Sequence, residues 1–363
     1  MFRLVVREFR LIFSDSGVML LLLFAMLIYA TIYSVAYGAE VVESVPIAVV
    51  DMDNTSASRD IVDGFDKGSN TVVAYDVESV SEAKDLFYKR SVYGIVVIPD
   101  GFEQGLLAMR GSTISLILDG SHLLLYRSVL EQAMADVLDG SAEGLVSLSS
   151  EVLYNRALGY GSFVMPSIVV LLIQQTLLIG VGMVAIRRRK HAALILSRTW
   201  RYSVWQVFSI TLSHILIYGT TLTIVLATIW PIFGFPFNGS IGDIFLLVLL
   251  YVVAASAMAQ SLSYLFNRRE APILTLLWSS VPILLLAGVS YPKEAFPEWL
   301  YNIGRVLPSS SAVDGFIALN TMGAKLYNIE SELINLAVLA FLYTLLAIIL
   351  EKYSYNSKNS AYG

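Results

Sequence analysis

The chain has 363 residues, 56% of them hydrophobic and 15% charged, with a mean hydropathy of +0.68 and a formal net charge of −5. Soluble domains carry about 25% charged residues, so the composition points to a membrane protein. Cysteine is absent, which excludes disulfides, thiolate metal sites and cysteine nucleophiles.

The chain opens with an amphipathic pattern. Phe2, Val5, Val6, Phe9, Ile12 and Phe13 fall on one helical face, and Arg3, Arg7 and Arg10 on another, as in a helix lying in the head-group layer. A hydrocarbon core of about 30 Å takes roughly 20 apolar residues of helix. Six stretches free of Asp, Glu, Lys and Arg are read as spans: 16–39, 157–186, 202–242, 244–267, 271–292 and 333–350. The third is too long for one span, and Pro231 and Pro236 should stop it near Trp230. The first is longer than the apolar core of a signal peptide, so it is expected to stay attached despite the small residues Ala36, Gly38 and Ala39.

Between the first two spans the pattern changes. Apolar strands are predicted at 46–51, 71–76, 93–99 and 113–119. Helices are predicted at 56–66 and at 79–90, where Ser79 and Glu82 have capping-box spacing, and a short one after Pro99. This alternation predicts a small α/β domain, followed by a helical stretch over 121–156 that leads into the second span. Acidic residues far outnumber basic ones here, which disfavours docking on anionic lipid or nucleic acid. Asp51, Asp53, Asn54 and Thr55 resemble the start of a calcium loop but lack its glycine and terminal glutamate, so they are read as helix-capping residues after a strand.

Toward the end, Trp299, Leu300, Ile303, Val306 and Leu307 share one face after Pro297, which predicts a short amphipathic or re-entrant helix. Ser311 and Asp314 have capping-box spacing for a following turn.

Lys and Arg mark one side of the membrane. Arg3, Arg7 and Arg10, then Arg187, Arg188, Arg189, Lys190, Arg198 and Arg201, then Arg268 and Arg269, then Lys352 and Lys358 fall in alternate connections. The connection over 231–243 holds none, and the segment 291–332 holds only Lys293, Arg305 and Lys325. Both termini are therefore expected in the cytoplasm, and the α/β domain outside.

No energy source is encoded. There is no Gly-Lys pair for a Walker A loop, no G-x-S-x-G, no HExxH, and only one of the three histidines, His214, lies in a span. No catalytic or metal-binding residue is expected. Energy should arrive from another subunit.

Four segments in this order resemble the membrane subunits of ABC type-2 permeases, in the subgroup with a large external domain between spans one and two. They are FRLVVREFRLIFSDS at the start, VPIAVVDMDNTSASRDIV with YGIVVIPDGFEQGL in the inserted domain, the basic segment 187–201, and LLAGVSYPKEAFPEWLYNIGRVLPSSSAVDGF at 285–316. The resemblance implies an α-helical membrane protein: an elbow helix at 1–16, a first span at 17–39, an external α/β domain at 40–156 and a second span at 157–186. A coupling segment at 187–201, further spans over 202–350 with an external gate or re-entrant segment at 291–316, and a cytoplasmic tail at 351–363 complete it.

By the same resemblance, two such subunits pair in the inner membrane, as a homodimer or with a sister permease, and two separate ATPases bind from the cytoplasm. ATP and Mg2+ are bound by those ATPases, and no cofactor by this chain. Arg3, Arg7, Glu8, Arg187, Arg188, Arg189, Arg198 and Trp200 are expected at the ATPase contact, and Tyr291, Pro292, Pro297, Trp299 and Pro308 at the external segment. Gln174 and Gln175, mid-span where an unpaired amide is costly, and Met165 are candidates for a substrate path; the two amides could instead bond across a helix interface. The apolar lining hints at a hydrophobic or amphipathic substrate leaving the cell, with membrane lipid and a periplasmic adaptor as further partners and no nucleic acid. Two alternatives stay open: mechanotransmission to a periplasmic partner, and a membrane-anchored receptor that transports nothing.

Overall fold

The computed structural model describes residues 1–37, 43–89, 91–108, 112–118, 123–140, 160–192, 200–289, 293 and 296–359. They divide into a helical unit, drawn mainly from Met1–Gly38 and Gly161–Gly363, and an α/β unit within Ala39–Val152.

Helix α1 spans Phe2–Phe13. The chain turns at Ser14, and Asp15 caps the next helix, accepting the N–H groups of Gly17 and Val18 at 3.2 and 3.3 Å. That helix, α2, runs over Ser16–Tyr37 with one π-helical turn at Leu20–Phe24.

The α/β unit follows as β1 (Val45–Asp51), α3 (Ser56–Lys67), β2 (Thr71–Asp76), α4 (Val80–Tyr88), β3 (Gly94–Ile98), α5 (Phe102–Leu107), β4 (Ser115–Leu118) and α6 (Leu123–Gly140). Strand order is β2-β1-β3-β4, with β1 parallel to both neighbours and β4 antiparallel to β3. All four predicted strands form. The central strand is apolar without alternation because both its faces are covered. Ile47 and Val49 pack with Ile61, Phe65 and Val129 on one side, and Ala48 and Val50 with Ala83 on the other.

The acidic loop after β1 is a capping device. Asp51 Oδ1 accepts the N–H groups of Asp53 and Asn54, and its Oδ2 accepts the Ser58 hydroxyl at 2.6 Å. Thr55 and Ser58 form a reciprocal capping box on α3. Asp53 accepts the Thr55 hydroxyl at 2.7 Å and the backbone N–H groups of Gly101, Phe102 and Glu103 at 2.8, 3.1 and 2.9 Å. It thereby ties the loop after β1 to the start of α5. These hydrogen bonds hold its carboxyl below the usual carboxylate range, the Thr55 hydroxyl contributing most. No group of three or more His, Cys, Asp or Glu side chains among the described residues is arranged to hold a metal ion.

The helical unit continues with α7 (Tyr160–Ala192) and α8 (Trp200–Ile224), the latter extended by a π turn at Val225–Ile229 and a last turn at Trp230–Ile232. Then come α9 (Ile241–Leu262), α10 (Ala271–Leu286), α11 (Glu298–Gly304), α12 (Pro308–Asn320) and α13 (Glu330–Asn359). Among the described residues, five helices are long and apolar enough to cross a membrane: Ser16–Tyr37, Val164–Arg189, Arg201–Ile232, Ile241–Leu265 and Leu326–Tyr353. Of these, α7 is central: 83% of its most apolar window is buried, against 28% to 56% for the others. Its glycines permit this enclosure. A Cβ on Gly180 would lie 2.6 Å from Leu22, and one on Gly182 2.6 Å from Pro272.

The fifth apolar stretch, read as a span over 271–292, forms a shorter apolar helix of 16 residues, α10; residues 290–292 lie outside the described residues. The helix ends where Gly288 adopts a left-handed conformation, φ +79°. One expectation is corrected. Ser311 does not start a helical turn: it lies inside α12, which begins three residues earlier with Pro308 at its first position.

Candidate functional site

Helix α1 buries Val5, Glu8 and Ile12 against the helical unit and leaves Phe2, Val6 and Phe13 exposed. The expected single apolar face is thus split. Its inward stripe, at i, i+3 and i+7, has a carboxylate at its centre. Glu8, 2% exposed, meets Arg188, 5% exposed. Arg188 donates from Nε to Glu8 Oε2 at 3.2 Å and from Nη2 to Oε1 in a closer contact. A two-pronged pair of this kind satisfies both charges away from water. One residue earlier, Arg7 donates to the Tyr202 hydroxyl at 3.3 Å, which donates to Gln206 Oε1 at 3.1 Å. Helix α1 is therefore fastened to α7 by Glu8 and to α8 by Arg7.

The three consecutive arginines of α7 point three ways, as a turn of about 100° per residue requires. Arg187 donates to Ser14 Oγ at 3.0 Å and lies 3.9 Å from Asp15. Arg188 takes Glu8. Arg189 donates to the carbonyl oxygens of Ser263 and Phe266 at 2.8 and 2.9 Å, capping the end of α9, and its guanidinium lies 5.2 Å from the Tyr264 ring centroid. The Tyr264 hydroxyl donates to Glu351 on α13. Arg3 is exposed on α1, and Trp200 is the first residue of α8. Arg198 lies outside the described residues. The sequence pointed to all these cations as a group, but their division among three partners depends on helix phase and packing.

A second constellation gathers near the middle of α7. Gln174, fully buried, accepts the backbone N–H of Ser309 at 2.9 Å and so caps α12. Its Nε2 has no hydrogen-bond partner among the described residues. Pro297 caps α11, Trp299 is exposed on it, and Pro308 opens α12. Tyr291 and Pro292 lie outside the described residues. The α11–α12 turn is held from α13: Asn335 Nδ2 donates to Arg305 O at 3.1 Å and Ser311 Oγ at 2.8 Å, and the Tyr343 hydroxyl donates to Val306 O at 3.0 Å. Lys293, buried, donates to Ser310 O at 2.8 Å and to both oxygens of Asp314 at 2.8 and 2.7 Å, its stem lying over Gly288. At its far end, α12 meets the connection before α9, where Asn238 N–H donates to Asn320 O at 2.8 Å. Sequence reasoning missed Lys293 and Asn335; a lone lysine and asparagine carry no spacing signal.

The candidate path residues separate. Gln174 is committed to α12. Met165 is buried, its Sδ 3.9 Å from the Ser34 hydroxyl. Gln175 faces a groove of about 300 Å³ between α2, α7 and α10. The walls of the groove are apolar, from Leu21, Ala25, Ile168 and Leu284, with Tyr29, Tyr33 and Ser280 adding hydroxyls. Tyr29, Tyr33 and Tyr37 form a ladder up α2, with ring centroids 6.5 and 6.0 Å apart. The outer face of α10 continues the apolar surface, with Trp278 83% and Val281 71% exposed.

Long apolar helices, a cluster of cations at the ends of three of them and an apolar groove between two long ones and α10 define a multi-pass membrane protein. The chain belongs to the ABC-2 family transporter proteins, whose family model matches residues 16–349. It is 24% identical over 315 residues to the "Probable multidrug ABC transporter permease YbhR" of Escherichia coli strain K12, covering 84% of this chain and 85% of that protein. It is 22% identical over 346 residues to the "Inner membrane transport permease YhhJ" of the same organism, covering 89% of each. The chain is therefore a membrane subunit of an ABC transporter, in a family whose ATPase is a separate subunit and whose permeases work with ATPase partners and a second permease.

Proposed function

We propose that this chain is one permease half of an ATP-driven exporter that moves a hydrophobic or amphipathic substrate from the cytoplasm or inner leaflet outward. The observation that carries the reading is the groove between α2, α7 and α10, apolar along its length and set with Gln175, Tyr29, Tyr33 and Ser280. Such a lining suits a ligand with a large apolar surface and a few polar groups. It also favours transport over a purely structural anchor.

In this reading α10 is the fifth of six spans, both termini are cytoplasmic and the α/β unit is external. The α11–α12 segment is re-entrant, because a mid-span residue, Gln174, caps α12. Backbone that turns at such depth needs protein partners, and Gln174, Asn335, Tyr343 and Lys293 supply them. ATP and Mg2+ bind to the partner ATPases. Arg3, Arg187, Arg198 and Trp200 face those subunits, while Arg7, Glu8, Arg188 and Arg189 pass the stroke inward through the ties to α7, α8 and α9. Alternating access then opens the path at the interface between two permeases.

The test is purification of the tagged chain in mild detergent, with assay of the eluate for co-purifying ATPase and for substrate-stimulated hydrolysis. The expected result is an ABC-type ATPase partner whose activity falls when Arg187 is changed to Glu. A chain that purifies alone from several detergents, without nucleotide-hydrolysing activity, refutes the reading.

A further inference from the structure

The groove between α2, α7 and α10 has a polar counterpart at the charged ends of the same three helices. A cavity of about 450 Å³ is lined there by Ser14, Asp15, Ser16, Met183, Arg187 and Arg269. Along α2 the lining passes from Ser16 to Leu21 and on to Tyr33. Along α7 it passes from Arg187 to Ile179 and back to Ile168. From Arg269, just before α10, it passes to Leu276 and Leu284. One seam therefore carries a cationic head end and an apolar run beyond it. The rise from Ser16 to Tyr33 is about 25 Å, longer than one leaflet's half of a hydrocarbon core of about 30 Å.

The head end is positive on balance. Asp15 is the carboxylate among its lining residues, against two guanidinium groups. Arg269 reaches both Asp15 oxygens, at 2.6 Å each, through a single nitrogen, Nη2, and its side chain is 54% exposed. Asp15 thus anchors the guanidinium through one nitrogen, and Nε and Nη1 take no part in that contact. Ser16 lines the cavity as well, while the Ser14 hydroxyl accepts from Arg187 and donates to Leu11 O. A planar guanidinium fork matches phosphate oxygens. The exposed Phe2, Val6 and Phe13 of α1 put this end at head-group level. A free anion would fill only the head; the apolar groove calls for a chain attached to it.

We propose that this seam binds an anionic phospholipid, its phosphate between Arg187 and Arg269 and one acyl chain along the groove of α2, α7 and α10. The inference rests on the membrane placement above and not on transport. Lipid binding can fail while ATPase coupling succeeds, and the reverse.

The test is native mass spectrometry of the purified full chain titrated with phosphatidylglycerol or phosphatidylcholine of identical acyl chains. Wild type should bind phosphatidylglycerol roughly tenfold tighter, because phosphatidylcholine offers the same phosphate but carries a choline cation that the two guanidinium groups repel. Arg269→Gln should abolish that preference and Arg269→Lys should keep part of it, so a misfolded first variant still leaves a reading. Ser280→Phe, which fills the groove from its wall, should weaken both lipids alike. Equal affinity for the two lipids in wild type, or a preference surviving Arg269→Gln, overturns the site. Full displacement of phosphatidylglycerol by millimolar inorganic phosphate, with Ser280→Phe silent, overturns the acyl half and leaves a simple anion pocket.

Discussion

Gln174 Oε1 accepts the backbone N–H of Ser309 at 2.9 Å, so a residue near the middle of α7 caps the second position of α12. A helix start away from water must have its N–H groups satisfied, and here the partner comes from another helix. Replacing Gln174 with Leu removes the acceptor and strands that N–H, at a cost of about 1–3 kcal/mol. The expected outcome is a lower Tm for the full chain in detergent, with Gln174→Asn no better because the shorter side chain falls short of α12.

Glu8→Gln leaves the Arg188 guanidinium buried without its counter-charge. Breaking one side of a buried pair costs about 3–5 kcal/mol, whereas replacing both partners with apolar residues is close to neutral. Glu8→Gln is therefore expected to lower Tm sharply, and Glu8→Leu combined with Arg188→Met to recover most of the loss. A thermal-melt double-mutant cycle measures this. If the pair also passes the ATPase stroke to α7, the double variant regains stability without regaining substrate-stimulated hydrolysis.

Gly288 ends α10 at φ +79°, and the Lys293 stem fills the space where a side chain would start, 2.6 Å from an added Cβ. Gly288→Ala adds the left-handed cost of about 1–2 kcal/mol and pushes Lys293 from Asp314 and Ser310. The expected result is a loss of stability, with substrate-stimulated hydrolysis falling more than binding of the partner subunit, since the α11–α12 segment loosens. Equal Tm and activity would show that the turn tolerates a side chain.

Asp53 ties the loop after β1 to the start of α5, and its carboxyl titrates below the ordinary value of 3.8. Its folded pKa is depressed, so its contribution is complete above the unfolded value and is lost as pH falls through the folded one. Wild type should therefore exceed Asp53→Asn in Tm at neutral pH, with the gap closing below about pH 4. A gap constant from pH 7 to pH 3 would show that the N–H groups of α5 do not depend on the charge.

Much of this architecture was legible along the chain. Long apolar runs and Lys and Arg at their ends are local properties, and so is the strand pattern of the α/β unit, whose β2 runs from Thr71 to Asp76 as predicted. The capping residues Asp51, Asp53 and Thr55 were read correctly as a class, because a short polar side chain before a helix has few other uses. Which helix Asp53 caps was not legible, since α5 begins about fifty residues later.

The sequence by itself determined that this is a multi-pass helical protein with an α/β insertion, because hydropathy and periodicity are set by residue order. Only the tertiary structure decided that Glu8 and Arg188 face each other, that Gln174 serves α12 while Gln175 serves the groove, and that α10 stops at Leu286. Each of those outcomes depends on the rotation of one helix against another, or on a backbone conformation that one glycine permits. Neither is written in the spacing of residues along a single segment.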